Sequence, residues 1–448
     1  MIHPYLPLTD DNRTFMLNQI GVESIEDLLS DLPSDKRLKH PFNIPPPMTE
    51  VELSEHFRTI AGLNRKAKLS FLGAGAYQHY IPAIIDHLAF RSEFYTAYTP
   101  YQPEISQGIL QAIFEYQTFI SELFGLPVAN ASLYDGASAL AEAILMAFRE
   151  TKSKKNSRLL LPETLSPHLL TVIKTYTQSC NFSIEWIPAQ NGIICPSDLA
   201  NLLQTEAAAV VLQNPNFLGF LEDLPELLQI VKNSNAFAIC YVDPLTLAIL
   251  EAPGHLGADI VVAEGQPLGL PLSYGGPYLG LMAVCEQFKR NIPGRLVGET
   301  VDSQGNRAFV LTLQTREQHI RREKATSNIC SNQTWCALRA AIYLATLGPV
   351  GFREVAQRAF DNAHYLLEEF LKIGFQPLFS TPFFLEFPIR TPKPASFYIE
   401  RLLEKNIVAG FDLLSTYPDL ENTLLICATE IFSKEQLDFF LDEMRQLQ

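Results

Sequence analysis

Basic residues are scarce in this 448-residue chain: 34 Lys and Arg stand against 49 Asp and Glu, a formal net charge of −15. That balance argues against a nucleic-acid backbone as partner, because phosphate binding draws on an excess of cations. It also argues against an anionic membrane surface. The opening Met1-Ile-His-Pro-Tyr-Leu-Pro-Leu-Thr-Asp has no basic stretch followed by an apolar run, so no secretory signal is expected. No unbroken run of 18 apolar residues is present, so no bilayer-spanning helix is expected, and a cytoplasmic location is. The seven cysteines are odd in number, scattered, and form no C-x-x-C pair. Buried reduced thiols are the expectation, with no zinc site. No internal repeat or low-complexity segment occurs.

What is present is organised in three parts. Residues 1–65 read as an N-terminal helical arm. Thr9-Asp-Asp opens one helix, Ser24-Ile-Glu-Asp-Leu-Leu repeats the capping pattern, and Thr49-Glu-Val-Glu opens another. Between them Pro41-Phe-Asn-Ile-Pro-Pro-Pro enforces an extended connection, since proline has no N–H to give. From 66 to 330 short β-branched runs at 158–161, 182–187, 208–212, 237–242, 259–262 and 279–284 alternate with helix-period segments at 106–124, 137–149, 167–178 and 224–233. The alternation predicts a large α/β domain with right-handed crossovers and a mostly parallel sheet covered on both faces. From 331 to 448 helix patterns at 332–347 and 351–372 flank Gly348-Pro349. Short strands at 383–387 and 424–426 and a last helix at 433–447 complete a smaller C-terminal α+β domain.

One local absence falls inside the α/β region. Between Lys232 and Lys289 there is no lysine. The strand-like Phe237-Ala-Ile-Cys-Tyr-Val ends on Asp243, and Asp259-Ile-Val-Val-Ala runs into Glu264-Gly-Gln-Pro-Leu-Gly. An acid at one strand end and a lysine after a nearby strand are how pyridoxal-phosphate (PLP) folds hold the pyridinium nitrogen and the aldehyde. Here the acid is present and the lysine position reads Gln266, whose amide cannot form a Schiff base. The plainer reading of Asp243 is a cap on the turn that follows.

Four other segments stand out. Phe71-Leu-Gly-Ala-Gly-Ala-Tyr lacks the third glycine of a dinucleotide fingerprint and reads as a tight loop allowing close backbone approach. Asp135-Gly136 leads into a helix whose first N–H groups favour an anion, although an ordinary N-cap looks the same. Aromatic, prolyl and polar residues from Phe90 to Gly108 suit a rigid presenting loop, structural or binding. Arg316, His319, Arg321, Arg322 and Lys324 crowd within nine residues. They form either a solvated helix face or, with Thr326-Ser-Asn328, a cationic mouth, where arginine's planar fork suits a carboxylate or phosphate. His319 is a candidate acid or base, and equally a structural histidine.

Taken together, Phe71-Leu-Gly-Ala-Gly-Ala-Tyr, Tyr98-Thr-Pro-Tyr-Gln-Pro-Glu-Ile-Ser-Gln-Gly, Tyr134-Asp-Gly, Glu264-Gly-Gln-Pro-Leu-Gly, Pro293-Gly-Arg-Leu-Val-Gly-Glu-Thr and Thr315-Arg-Glu-Gln-His-Ile-Arg-Arg-Glu-Lys-Ala-Thr-Ser-Asn-Ile-Cys resemble one family over nearly the whole chain. It is the P-protein of the glycine cleavage system, glycine dehydrogenase (decarboxylating), in the form of the alpha subunit (subunit 1) found where the P-protein is split in two. The resemblance implies a fold-type-I PLP-dependent transferase-like architecture and an α2β2 assembly with a beta subunit. That beta subunit would carry the Schiff-base lysine and the pyridoxal 5'-phosphate, with none covalently bound here. The implied reaction decarboxylates glycine on PLP and passes the aminomethyl group to the lipoyl arm of H-protein.

Within that frame no residue of this chain is catalytic by itself. Tyr98, Tyr101, Gln102, Glu104, Arg316, His319, Arg321, Thr326 and Asn328 are expected to line an alpha–beta cleft. Asp243, Gly136 and Ser138 are expected to be vestigial cofactor positions. One alternative is a scaffold subunit that stabilises beta without reaching its site. Another is a self-sufficient PLP enzyme using Lys289 or Lys324, although neither directly follows the strand after Asp243.

Overall fold

The structure, a computed structural model, describes residues 5, 8–40, 42–95, 99–151, 157–316 and 318–448, with the side chains of Ser157 and Arg316 excepted. It divides into two compact units, residues 1–65 and 66–448. In the first, helix α1 (Asp10–Ile20) starts where the Thr9 hydroxyl accepts from the Asn12 N–H, and helix α2 (Glu50–Gly62) starts with a Thr49/Glu52 capping box. No residue of either helix is buried, and Phe15, Val51 and Phe57 are exposed.

The second unit is built on a seven-stranded sheet: β1 (Val128–Ala129), β2 (Ser157–Pro162), β3 (Phe182–Ile187), β4 (Ala209–Asn214), β5 (Phe237–Val242), β6 (Ile260–Glu264) and β7 (Gly280–Val284). The spatial order is β1-β7-β6-β5-β4-β2-β3. Neighbours from β3 to β6 pair in parallel, and β7 is antiparallel to both β6 and β1. The mostly parallel sheet expected from the alternating pattern is therefore present, with β7 running against the rest. Helices α3 (Gln107–Phe124), α4 (Gly136–Glu150), α5 (Pro167–Thr177) and α6 (Leu224–Lys232) lie within a residue or so of the helix-period segments.

Residues along a strand alternate between two cores, as strand geometry requires. Val210, Leu212, Val261 and Ala263 point into one core, while Ala209, Val211, Ile260 and Val262 point into the other. Strands buried on both faces read as continuous apolar runs, which is why they were recognisable.

Beyond residue 330, helix α7 (Thr334–Lys372) joins the two expected helix segments across a kink at Gly348. By length and composition it is apolar enough to cross a membrane, a property hidden by its lack of an unbroken apolar run. Here its Ala337, Ala340, Tyr343, Ala356 and Ala359 pack into a core beside the sheet. A four-stranded antiparallel sheet follows, ordered Gln376–Pro377, Glu386–Arg390, Thr423–Cys427 and Phe411–Asp412. Its core also takes in Phe71, Phe217 and Phe220 from far upstream. Phe71 stacks on Phe432 and Phe440 with ring centroids 4.6 and 3.8 Å away.

Two expectations need correction. Of the two readings of the 316–324 charge run, the single helix face is not found: after a hairpin strand, Arg307–Thr312, come single turns at Gln314–Arg316, Gln318–Arg321 and Arg322–Lys324. Leu313 (φ 52°) and Arg322 (φ 54°) adopt left-handed backbone, which interrupts any continuous helix. The cysteines are not all buried. Cys240, Cys336 and Cys427 are, whereas Cys180 and Cys330 are exposed.

Candidate functional site

The carboxyl ends of β4, β5 and β6 open into a cavity of about 350 Å³, the position where open α/β sheets bind ligands. Gln213, Tyr241, Asp243, Glu264 and Gln266 line its floor, the start of α4 (Asp135, Ala137) forms one wall, and Ala74–Tyr77 forms another.

Asp243 ends β5, as expected, and also caps the next turn: its carboxylate accepts from the Leu245 N–H at 2.9 Å. Burial pushes this carboxyl up, against the opposing influence of the His79 charge and the Leu245 N–H. Gln266 is 2% exposed. Its amide donates to the Leu270 carbonyl at 2.9 Å and accepts from the Tyr77 N–H at 3.3 Å. Both ends of the amide are thus engaged in joining two loops, and a lysine, with no acceptor, could not replace the second bond.

Gly136 and Ser138 sit at the start of α4. Glycine is required at 136, because a Cβ there would lie 2.7 Å from the Glu264 backbone N. The Gly136 N–H donates to the Glu264 carboxylate at 2.9 Å, and the Ser138 N–H to the Asp135 carboxylate at 2.7 Å. Burial raises the Glu264 carboxyl to about 7 despite the backbone donors around it. Without an amine at 266, and with the Gly136 and Ser138 N–H groups at the helix start held by the chain's own carboxyl groups, this cavity does not fit a covalently bound aldehyde cofactor carrying a phosphate.

The Phe71–Tyr77 loop is the close approach its glycines suggested: a Cβ on Gly73 would sit 2.2 Å from a Glu386 carboxylate oxygen. Glu386 accepts from the Ala74 N–H at 2.5 Å and the Tyr77 hydroxyl at 2.9 Å. Beside it His79 Nδ1 meets Glu430 at 2.8 Å, with both side chains buried. Burial pushes the Glu430 carboxyl up, but the His79 bond and charge and the Tyr80 N–H outweigh it and hold it low.

Burial raises the Glu386 carboxyl from 4.5 to about 7. The folded state therefore holds this proton more tightly than the unfolded chain, so its stabilising contribution is complete below 4.5 and is lost as pH rises through about 7. Denaturant unfolding at several pH values is expected to show Glu386→Gln with a shallower loss of stability between pH 5 and 7.5. The difference should be on the order of 2 kcal/mol across that range, and parallel curves for both proteins would contradict it.

A second constellation lies on the other side of the Asn130–Asp135 stretch. Arg295, 6% exposed, donates to the Tyr101 hydroxyl at 3.1 Å, the Asn332 side chain at 3.0 Å and the Cys330 carbonyl at 3.3 Å. Its guanidinium also lies 5.3 Å from the Tyr101 ring centroid, a cation–π contact. The Tyr101 ring meets His319 edge-on at 6.0 Å. Asn332 in turn donates to the Ala131 carbonyl, and the Cys330 N–H to the Tyr134 hydroxyl. Arg295 and Thr326 share a small crevice with Ser327 and Ile329.

The structure thus brings Tyr101 and Thr326 to Arg295, with His319 against the Tyr101 ring. Gln102, Glu104, Arg321 and Asn328 are exposed nearby along the same segments. Tyr98 and the Arg316 side chain lie outside the described residues. Arg295, Glu264 and Glu386 are the positions that motif reading passed over. The first two were visible as a lone arginine in Pro293-Gly-Arg and an acid closing an apolar strand. Glu386 gave no signal. Among the described residues no group of His, Cys, Asp and Glu could hold a metal ion.

The family model described as glycine cleavage system P-protein matches residues 3–444. A probable glycine dehydrogenase (decarboxylating) subunit 1 from Anoxybacillus flavithermus is 48% identical, over 99% of both chains. Another, from Moorella thermoacetica, is 48% identical over 98% of this chain and 99% of its own. Among solved structures, an inhibitor-bound glycine decarboxylase (P-protein) of the glycine cleavage system is 41% identical with a TM-score of 0.89, covering 100% of both chains. Glutamate decarboxylase of Lactobacillus brevis, at 14% identity and a TM-score of 0.68, shares the fold alone. These neighbours establish the fold-type-I PLP-dependent transferase architecture, and the chain belongs to the glycine cleavage system P-protein family.

Proposed function

We propose that this chain is the lysine-less half of a two-chain glycine decarboxylase. It completes the active site of a beta subunit that carries the PLP and the Schiff-base lysine. The assembled α2β2 enzyme, in the cytoplasm, decarboxylates glycine and delivers the aminomethyl group to the lipoyl arm of H-protein. The observation that carries this reading is Gln266: the chain has the cavity and the strand-end acid, but an amide bonded at both ends where an amine is needed. The subunit 1 designation of its relatives supports a companion chain.

In this reading the chain contributes Tyr101, held by Arg295 and flanked by His319, with the 316–328 segment alongside. Tyr101 and Gln102 supply hydrogen bonds at the rim. Arg316 or Arg321 meets a carboxylate or admits the lipoyl arm, the task for which a guanidinium fork is suited. In the assembled complex Tyr101→Phe, Gln102→Ala and Arg316→Ala are each assayed for glycine–bicarbonate exchange with H-protein. A fall of about tenfold or more in kcat/KM, the worth of roughly one hydrogen bond, is expected in at least one, with assembly intact. Near-normal turnover in all three rejects the reading. Loss of assembly or melting temperature without a selective loss of turnover favours the scaffold alternative.

A further inference from the structure

We propose that the Glu264 carboxyl group is a built-in plug that occupies the helix-start N–H and closes that end of the cavity to phosphate-bearing ligands. α4 is 15 residues long, and the free N–H groups and dipole at such a start attract an anion. The anion found there belongs to the chain. One Glu264 oxygen accepts from the Gly136 N–H at 2.9 Å, and the other accepts from the Gln266 and Leu279 N–H groups, each at 3.0 Å. N–H groups at 136, 266 and 279 thus converge on one carboxyl group, as they would on a bound oxyanion. Asp135 takes the Ser138 N–H in the same way.

Space and charge agree with this assignment. The Glu264 backbone packs so closely on Gly136 that not even a methyl group fits between them. Three carboxylates, from Asp135, Asp243 and Glu264, face the cavity, and neither Arg nor Lys is among the described residues lining it. A phosphate dianion entering here would meet three carboxyl groups, with His168 as the lining imidazole and no guanidinium or ammonium, and would find the Gly136 and Ser138 N–H groups already taken. The cavity therefore accepts neutral or cationic molecules and refuses phosphate esters. This inference concerns the chain alone and does not rest on the proposed partnership.

The test uses the full chain with three probes: inorganic phosphate, pyridoxine 5'-phosphate and pyridoxine. The last two lack an aldehyde, so surface lysines do not react with them. Isothermal titration should show no binding of either phosphate-bearing probe to the wild type. Glu264→Ala, which frees three N–H groups, should gain at least tenfold in affinity for both, with pyridoxine unchanged. Glu264→Gln removes the charge while keeping the shape and should gain less. Wild-type binding as tight as that of the variants, or a folded variant without any gain, overturns the proposal. Should neither variant fold, amide exchange at 136–138 in the wild type decides. Rates unchanged by millimolar phosphate support the plug, and slowing by phosphate overturns it.

Discussion

Arg295→Ala is expected to destabilise the chain by about 3 kcal/mol and to cut turnover of the assembled enzyme more than tenfold. Arg295 is 6% exposed and satisfies three acceptors from two separate stretches, Tyr101 on one side and Cys330 and Asn332 on the other. Each buried acceptor left without a donor costs roughly 1–3 kcal/mol. Water can rescue part of that, because Tyr101 is 47% exposed and Cys330 is also at the surface. The cation–π contact with Tyr101 is lost as well. The larger effect on activity follows from position: the guanidinium's bonds, which tie the Tyr101 rim to Cys330 and Asn332, are lost.

Arg295→Lys supplies charge but not a fork, so it should recover only part of either property. Chemical denaturation of the isolated chain and exchange assays of the complex read the two effects separately. A stability change within about 0.5 kcal/mol, typical of an unconstrained surface site, would contradict the role assigned to Arg295.

How far the sequence disclosed this arrangement depends on the range of each interaction. β3 and β5 were recognisable to the residue, β5 as an apolar run buried at four of its six positions and β3, at the sheet edge, as a short run rich in aromatic and β-branched residues. Asp243 and Gln266 could be placed from sequence because the first follows directly on a strand and the second lies two residues past the end of another. Arg295 could not be weighed there, since its partner Tyr101 lies 194 residues away. Nor could Glu386, joined to Tyr77 across 309 residues. Such pairings are created by folding, and no periodicity announces them. Gly136 was read as the start of an anion-attracting helix, but the anion is Glu264, which reaches it across 128 residues. The charge run at 316–324 misled in the opposite way: its composition suits a helix, while left-handed backbone at Leu313 and Arg322 breaks it into turns.

The central claim is that this chain has no amine placed to capture an aldehyde and that a partner must complete the chemistry. The purified chain, incubated with pyridoxal 5'-phosphate, H-protein and carboxyl-labelled glycine, is expected to release no labelled carbon dioxide. After borohydride trapping, peptide mapping should find no cofactor adduct within residues 233–288, where no lysine exists. Adding a lysine-bearing beta subunit should switch release on, from background to full turnover. Labelled carbon dioxide from the chain alone, at a rate comparable to that of the pair, would contradict the account.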